Sequence, residues 1–173
     1  MLSRIILKYG LISGLVGASG YTLFMALKKI QSAETMNAGE LIGSIFLFLS
    51  MAVVFFGLRS IREQNDGVLS FKAAFLNGMS IVFISSIIYV AGWMLLYPIL
   101  LPDFVNQYQE AQITQLESEN LDSMEMKEKI EEMKAFNENY KRPHIMAAYT
   151  FLEIFPLGLV TVLISSLILR RRD

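Results

Sequence analysis

Four long stretches of this chain are almost free of charge, and they limit its possible folds more than any other feature. The windows Tyr9–Leu27, Leu41–Leu58, Ala73–Leu101 and Ile145–Leu169 hold a single Asp, Glu, Lys or Arg between them, Glu153. About 20 apolar residues, rising 1.5 Å each, cross a hydrocarbon core of roughly 30 Å. A soluble helix shows a polar face at every turn, and these runs do not. The expected fold is therefore an all-α membrane protein, one integral membrane domain over residues 1–173. Four transmembrane helices, at about 7–27, 41–58, 77–101 and 145–169, would form an up-down-up-down bundle. The first run could also be read as a signal peptide, with Arg4 and Lys8 as its basic start. It is longer than a usual signal core, and Lys28-Lys29 follow it directly, so it is read as a retained span. The third window is too long for the hydrocarbon alone. Lys72 and Asn77 are expected in the headgroup zone, where Phe71 and Phe75 could anchor. Trp93 and Tyr97 suit the opposite interface, and Pro98 and Pro102 suggest a kink or a boundary.

The charges collect elsewhere. Residues 103–142 carry ten acids and five bases, while the whole chain has a formal net charge of −1. This segment is expected to form a helical hairpin between spans three and four, with a break near Ser118–Ser123. Asp122 and Glu125 fit a capping box, and Met126, Ile130, Met133, Phe136 and Tyr140 follow helical spacing. Arg4, Lys8, Arg59, Arg62, Lys72, Arg170, Arg171 and Arg172 fall in short segments on one side of the predicted bundle. By the positive-inside tendency that side is cytoplasmic. Both termini are then expected inside and the acidic hairpin outside. Between spans two and three, Asn65-Asp66-Gly67 reads as a turn, and Ser70 as the cap of the next helix. Pro143 suits the first turn of the last helix.

Several functions find no footing. With no Cys and one His, His144, the chain lacks a disulfide scaffold, a cysteine nucleophile and a histidine-rich metal site. Phosphate-loop, dinucleotide, zincin and nucleophile-elbow motifs are missing. The charge balance does not favour nucleic acid. No catalytic residue, cofactor or metal ligand is expected. The bilayer is the expected partner, with a homo-oligomer or another membrane protein possible.

Two groups of residues stand out. Gly10, Ser13, Gly14 and Gly17 place small side chains on one stretch of the first span. Small residues let helix backbones approach where lipid gives no hydrophobic drive. The face could pack against the chain's own spans or against a second copy. The other group centres on Glu153, about 15 Å inside a helix that starts at Pro143. An acid at that depth should face the bundle interior, be protonated, or both. Pro156 leaves the Leu152 carbonyl without its helical donor beside it. Equal depths on the other spans fall near Ser19, Ser50, Tyr89 and Trp93. A polar cluster of Glu153 with some of these is expected, either for packing specificity or as a proton or cation site.

Four stretches also carry a resemblance. They are Ile5 to Gly14, then Phe55 to Arg62 followed by Ser70 to Phe75, then Tyr89 to Met94, and Phe151 to Leu159. Together they resemble a bacterial family known as domain of unknown function 4199, found mainly in Bacteroidetes. The resemblance implies a four-span inner-membrane protein and brings no activity, cofactor or site residue. The expected role is a non-enzymatic interaction or accessory component of the inner membrane. The alternative is a small oligomeric transporter or channel using Glu153 as an intramembrane proton or cation site.

Overall fold

A computed structural model describes residues 2–28, 33–118 and 123–171. Lys29, Asp122 of the expected capping box, and Arg172 lie outside the described residues. Six helices follow in order: α1 (Leu2–Lys28), α2 (Ala33–Gln64), α3 (Phe71–Leu100), α4 (Phe104–Ser118), α5 (Ser123–Tyr140) and α6 (Pro143–Leu169). Among the described residues no strand forms. One isolated bridge joins Leu69 to Arg171.

Three of these helices, α2 from Glu34, α3 and α6, are long and apolar enough to cross a membrane. The fourth long helix, α1, has 27 residues. It is rich in small residues: Gly10, Ser13, Gly14, Gly17, Ala18, Ser19 and Gly20. In all four, the usual sorting of residues is inverted. Ser13, Ser50, Ser85, Ser86, Thr150, Ser165 and Ser166 are buried, while Leu15, Phe48, Leu95 and Ile168 are more than 60% exposed. A soluble fold does not leave such a belt uncovered. A surface facing lipid does.

The helices lie side by side in alternating directions. α1 runs antiparallel to α2, with Gly20 against Phe46 and Gly57 against Tyr9. It runs parallel to α3, with Gly10 against Ile84 and Gly14 against Ile88. α3 and α6 are antiparallel, with Gly78 against Val162 and Gly158 against Val82. The consecutive helices α2 and α3 touch less than α1 and α3 do. One end of the group is closed by a core of Ile5, Val54, Leu58, Ile61, Leu69, Ile81, Val82, Val162 and Leu169.

Local signals set most boundaries. Ser70 caps α3, its hydroxyl accepting from the Ala73 N–H at 3.3 Å. α3 contains Pro98 and stops at Leu100, two residues before Pro102. Pro143 opens α6. Asp66 and Gly67 take positive φ of 52° and 81°, ending α2 in the expected turn.

Two expectations need correction. The helix of the second span, expected from residue 41, starts earlier: residues 33–40 are the first turns of α2. Glu34 sits in the first turn, where a negative charge favours a helix, and Met36 is buried against the cluster of Trp93 and Leu101. The acidic hairpin is helical as expected, but it does not simply prolong the spans outward. The chain turns at Pro102–Asp103, and α4 folds back over the end of the bundle, with Phe104 stacked edge-on 5.3 Å from Trp93. Within α5, Met126, Ile130, Met133 and Tyr140 are half-buried, but Phe136 is 44% exposed and Asn137 takes the buried position. Spacing of four and then three residues from Met126 runs through 137 rather than 136.

Candidate functional site

The small-residue face is used inside the chain. A Cβ on Gly14 would lie 2.7 Å from the Ser85 carbonyl oxygen, and one on Gly10 would lie 2.7 Å from Ile84. Gly17 instead faces Tyr89 and Ser50. Ser13, fully buried, donates to the Ser50 carbonyl at 2.9 Å and pairs with the Ser85 hydroxyl at 2.9 Å. The stripe therefore joins α1 to both α2 and α3, and α3 occupies the Gly10–Gly14 surface that a second copy would have needed. Ser85 was not among the expected residues. Its signal was the mid-span pair Ser85-Ser86.

Of the residues placed at the depth of Glu153, the structure brings one into contact with it. The Tyr89 hydroxyl donates to Glu153 Oε2 at 2.9 Å. Ser50 is buried near Gly17, and its hydroxyl has no hydrogen-bond partner among the described residues. The placement of Ser19 in the cluster is corrected: Ser19 is exposed and donates to the Val16 carbonyl at 2.9 Å. Depth fixes height along a helix and not direction around it. At about 100° per residue, Ser19 points away from the face that carries Gly17.

Glu153 borders a cavity of about 400 Å³ that all six helices line. Glu153, itself exposed, and the buried Tyr89 stand side by side in its lining. Tyr21, Trp93, Phe104, Tyr108, Phe136 and Tyr140 contribute the aromatic walls, with Gly17, Ala18 and Gly43 opposite. A Cβ on Gly43 would press to 3.1 Å from the Tyr21 ring, so glycine there gives the wall its space. The roof is α4 and α5, the segment expected only to be a solvated hairpin. Glu40, Ser44 and Glu153 line the cavity and keep accessible surface. They stand on α2 and α6, which puts the mouth between those helices, beneath Phe136 of α5.

Hydrogen bonds hold this wall in place. Trp93 Nε1 donates to the Tyr140 hydroxyl at 3.0 Å, tying α3 to α5. Tyr108 donates to Glu40 Oε1 at 2.8 Å, tying α4 to α2. Asn137 Nδ2 donates to Gln109 Oε1 at 3.3 Å and closes α5 onto α4. Burial, followed by the bond to the Glu40 carboxyl and its charge, pushes the Tyr108 phenol up, so it remains a neutral donor. Burial also raises Tyr140, opposed by its bonds with Thr150 and Trp93.

His144 is exposed at the start of α6, away from this lining. Among the described residues no three His, Cys, Asp or Glu gather as a metal site. Glu40, Tyr108 and Asn137 were missed as site residues. They lie far apart in sequence and in segments that read as connection and solvated helix, and only the fold-back of α4 brings them together.

A family profile described as a protein of unknown function (DUF4199) matches residues 8–171, nearly the whole chain. No curated protein matches the chain, and no solved structure does.

Proposed function

We propose, from the premise that the chain belongs to the DUF4199 family of proteins of unknown function, that it is a non-enzymatic binding protein of the bacterial inner membrane. Four helices cross the bilayer, both termini are cytoplasmic, and a small ligand is held in the cavity at the extracytoplasmic end. The observation that carries this reading is Glu153: an acid in the middle of a span, held by Tyr89 and facing open space rather than packed core.

Supporting α1 as the fourth span is its outward face, where Leu7, Leu11, Leu15 and Leu23 are each exposed by 43% or more. Supporting the orientation is the distribution of charge. The Leu69–Arg171 bridge sets the C-terminal arginines beside the loop that carries Arg59, Arg62 and Lys72, and Ile5 packs in the same core beside Arg4. The acidic α4 and α5 lie at the other end. Favouring binding over reaction, the lining contains no Cys, His, Lys or Arg among the described residues. A channel is disfavoured in this conformation, because Val54, Leu58, Ile61, Ile81, Val82 and Val162 are fully buried below the cavity.

Trp93 is the only tryptophan of the chain and lies in the cavity wall, so its fluorescence tests access directly. In lipid nanodiscs, aqueous acrylamide should quench Trp93. Ser44→Phe, placed at the mouth where Ser44 bonds only the Glu40 carbonyl, should cut that quenching several-fold. Equal quenching in both proteins, or none in the native chain, would overturn the reading.

A further inference from the structure

We infer that the cavity takes an organic cation, an amine or quaternary ammonium group carried on a small apolar body. The inference rests on the binding role proposed above and names the chemistry of the ligand.

Among the described residues the lining has two carboxyl groups and no basic residue; Glu40 also borders a neighbouring groove lined by Lys129. Each carboxyl accepts a hydrogen bond from one tyrosine. Tyr89 bonds Oε2 of Glu153, and Tyr108 bonds Oε1 of Glu40. An acid in a membrane span ordinarily pairs with a base or lines a polar path. Here the described residues offer Glu153 a neutral phenol, so an ionised Glu153 would take its positive counter-charge from a ligand. The walls suit the same guest. Aromatic faces are electron-rich and attract alkylammonium groups held over them, and Tyr21, Trp93, Phe104 and Tyr108 are joined ring to ring at 5.3–5.9 Å. An anion would meet two carboxyls. A bare metal ion would find phenols and an indole where it needs a shell of oxygens. The volume of about 400 Å³ lies within the range of small-molecule sites. The mouth between α2 and α6 opens near the outer membrane surface. The ammonium could therefore belong to a free amine or to the headgroup of phosphatidylethanolamine.

The test uses the full chain in nanodiscs of phosphatidylglycerol, with Trp93 emission as the readout. The probes are benzyltrimethylammonium and its uncharged carbon isostere, neopentylbenzene. The cation should give a saturable change, with the isostere at least tenfold weaker. Glu153→Gln and Glu40→Gln should each weaken the cation at least tenfold while leaving helicity and acrylamide access unchanged. Competition by added phosphatidylethanolamine would assign the site to a lipid headgroup, and no competition would assign it to a free amine. Equal binding of both probes would overturn the inference and leave the binding role standing. No binding of either, with Trp93 still open to acrylamide, would also overturn it. Loss of acrylamide access would remove the binding role itself. The comparison of two probes on the native chain decides the matter even if a variant fails to fold.

Discussion

At the scale of single residues, closeness of backbone decides what α1 tolerates. A Cβ at Gly14 would sit 2.6 Å from Ile88 Cβ and 2.7 Å from the Ser85 carbonyl. Neither obstacle is the free end of a side chain, so the helices themselves would have to part. At Gly92 the nearest atom is Ala18 Cβ at 3.0 Å, and nothing else lies within 4 Å. Gly14→Ala should therefore cost about 1–3 kcal/mol, the range of overpacked cores, and Gly92→Ala clearly less. Reversible unfolding in mixed micelles would measure both, and equal losses would contradict the account. This scale was partly open to reading. Small residues at three- and four-residue spacing announce close packing, and Gly10, Ser13, Gly14 and Gly17 are all buried. What spacing on one helix withholds is the partner's direction, and for that reason Ser19 was wrongly placed with Glu153 while Tyr89 was rightly placed.

At the scale of elements, the clearest junction is the end of α2. The Gly67 N–H donates to the Arg62 carbonyl at 3.0 Å, and Arg62 Nε donates back to the Gly67 carbonyl at 3.0 Å. This closure requires φ of 81° at Gly67, although a Cβ there would meet nothing within 4 Å. Gly67→Ala should then destabilise by about 1 kcal/mol through backbone strain alone, with no loss of packing. A thermal shift no larger than that of an ordinary surface substitution would argue otherwise. The Asn65-Asp66-Gly67 signal was legible because it is local, as were the Ser70 cap and Pro143. The outward start of α2 and the fold-back of α4 were not. Residues 33–40 are polar enough to read as a connection, and their helix is held by distant partners: Met36 in the Trp93 cluster and Glu40 on Tyr108. Asn137 escaped notice for a related reason. A polar residue in an apolar stripe reads as an interruption until its partner, Gln109 on another helix, is known.

Across the whole molecule, charge and apolar surface divide along one axis, and that division can be tested independently of any ligand. The exposed belt of leucine, isoleucine and phenylalanine separates an end carrying Arg59, Arg62, Lys72, Arg170 and Arg171 from an end roofed by the acidic α4 and α5. Basic residues in short segments resist translocation, whereas acids contribute little to orientation, so the basic end should face the cytoplasm even though the net charge of the chain is only −1. The total is small because opposite charges sit at opposite ends of the molecule. The chain has no cysteine, which makes a single introduced thiol an unambiguous marker. Ser118 ends α4 on the roof, exposed, with its hydroxyl on the nearby Gln115 carbonyl, so Ser118→Cys disturbs little. In spheroplasts a membrane-impermeant maleimide should label this cysteine without permeabilisation, whereas Ser60→Cys near the end of α2 should label only after it. The reverse pattern would turn the molecule over in the membrane and put the cavity mouth on the cytoplasmic side. Labelling of both positions from outside would mean that α3, the long helix between them, does not cross the membrane.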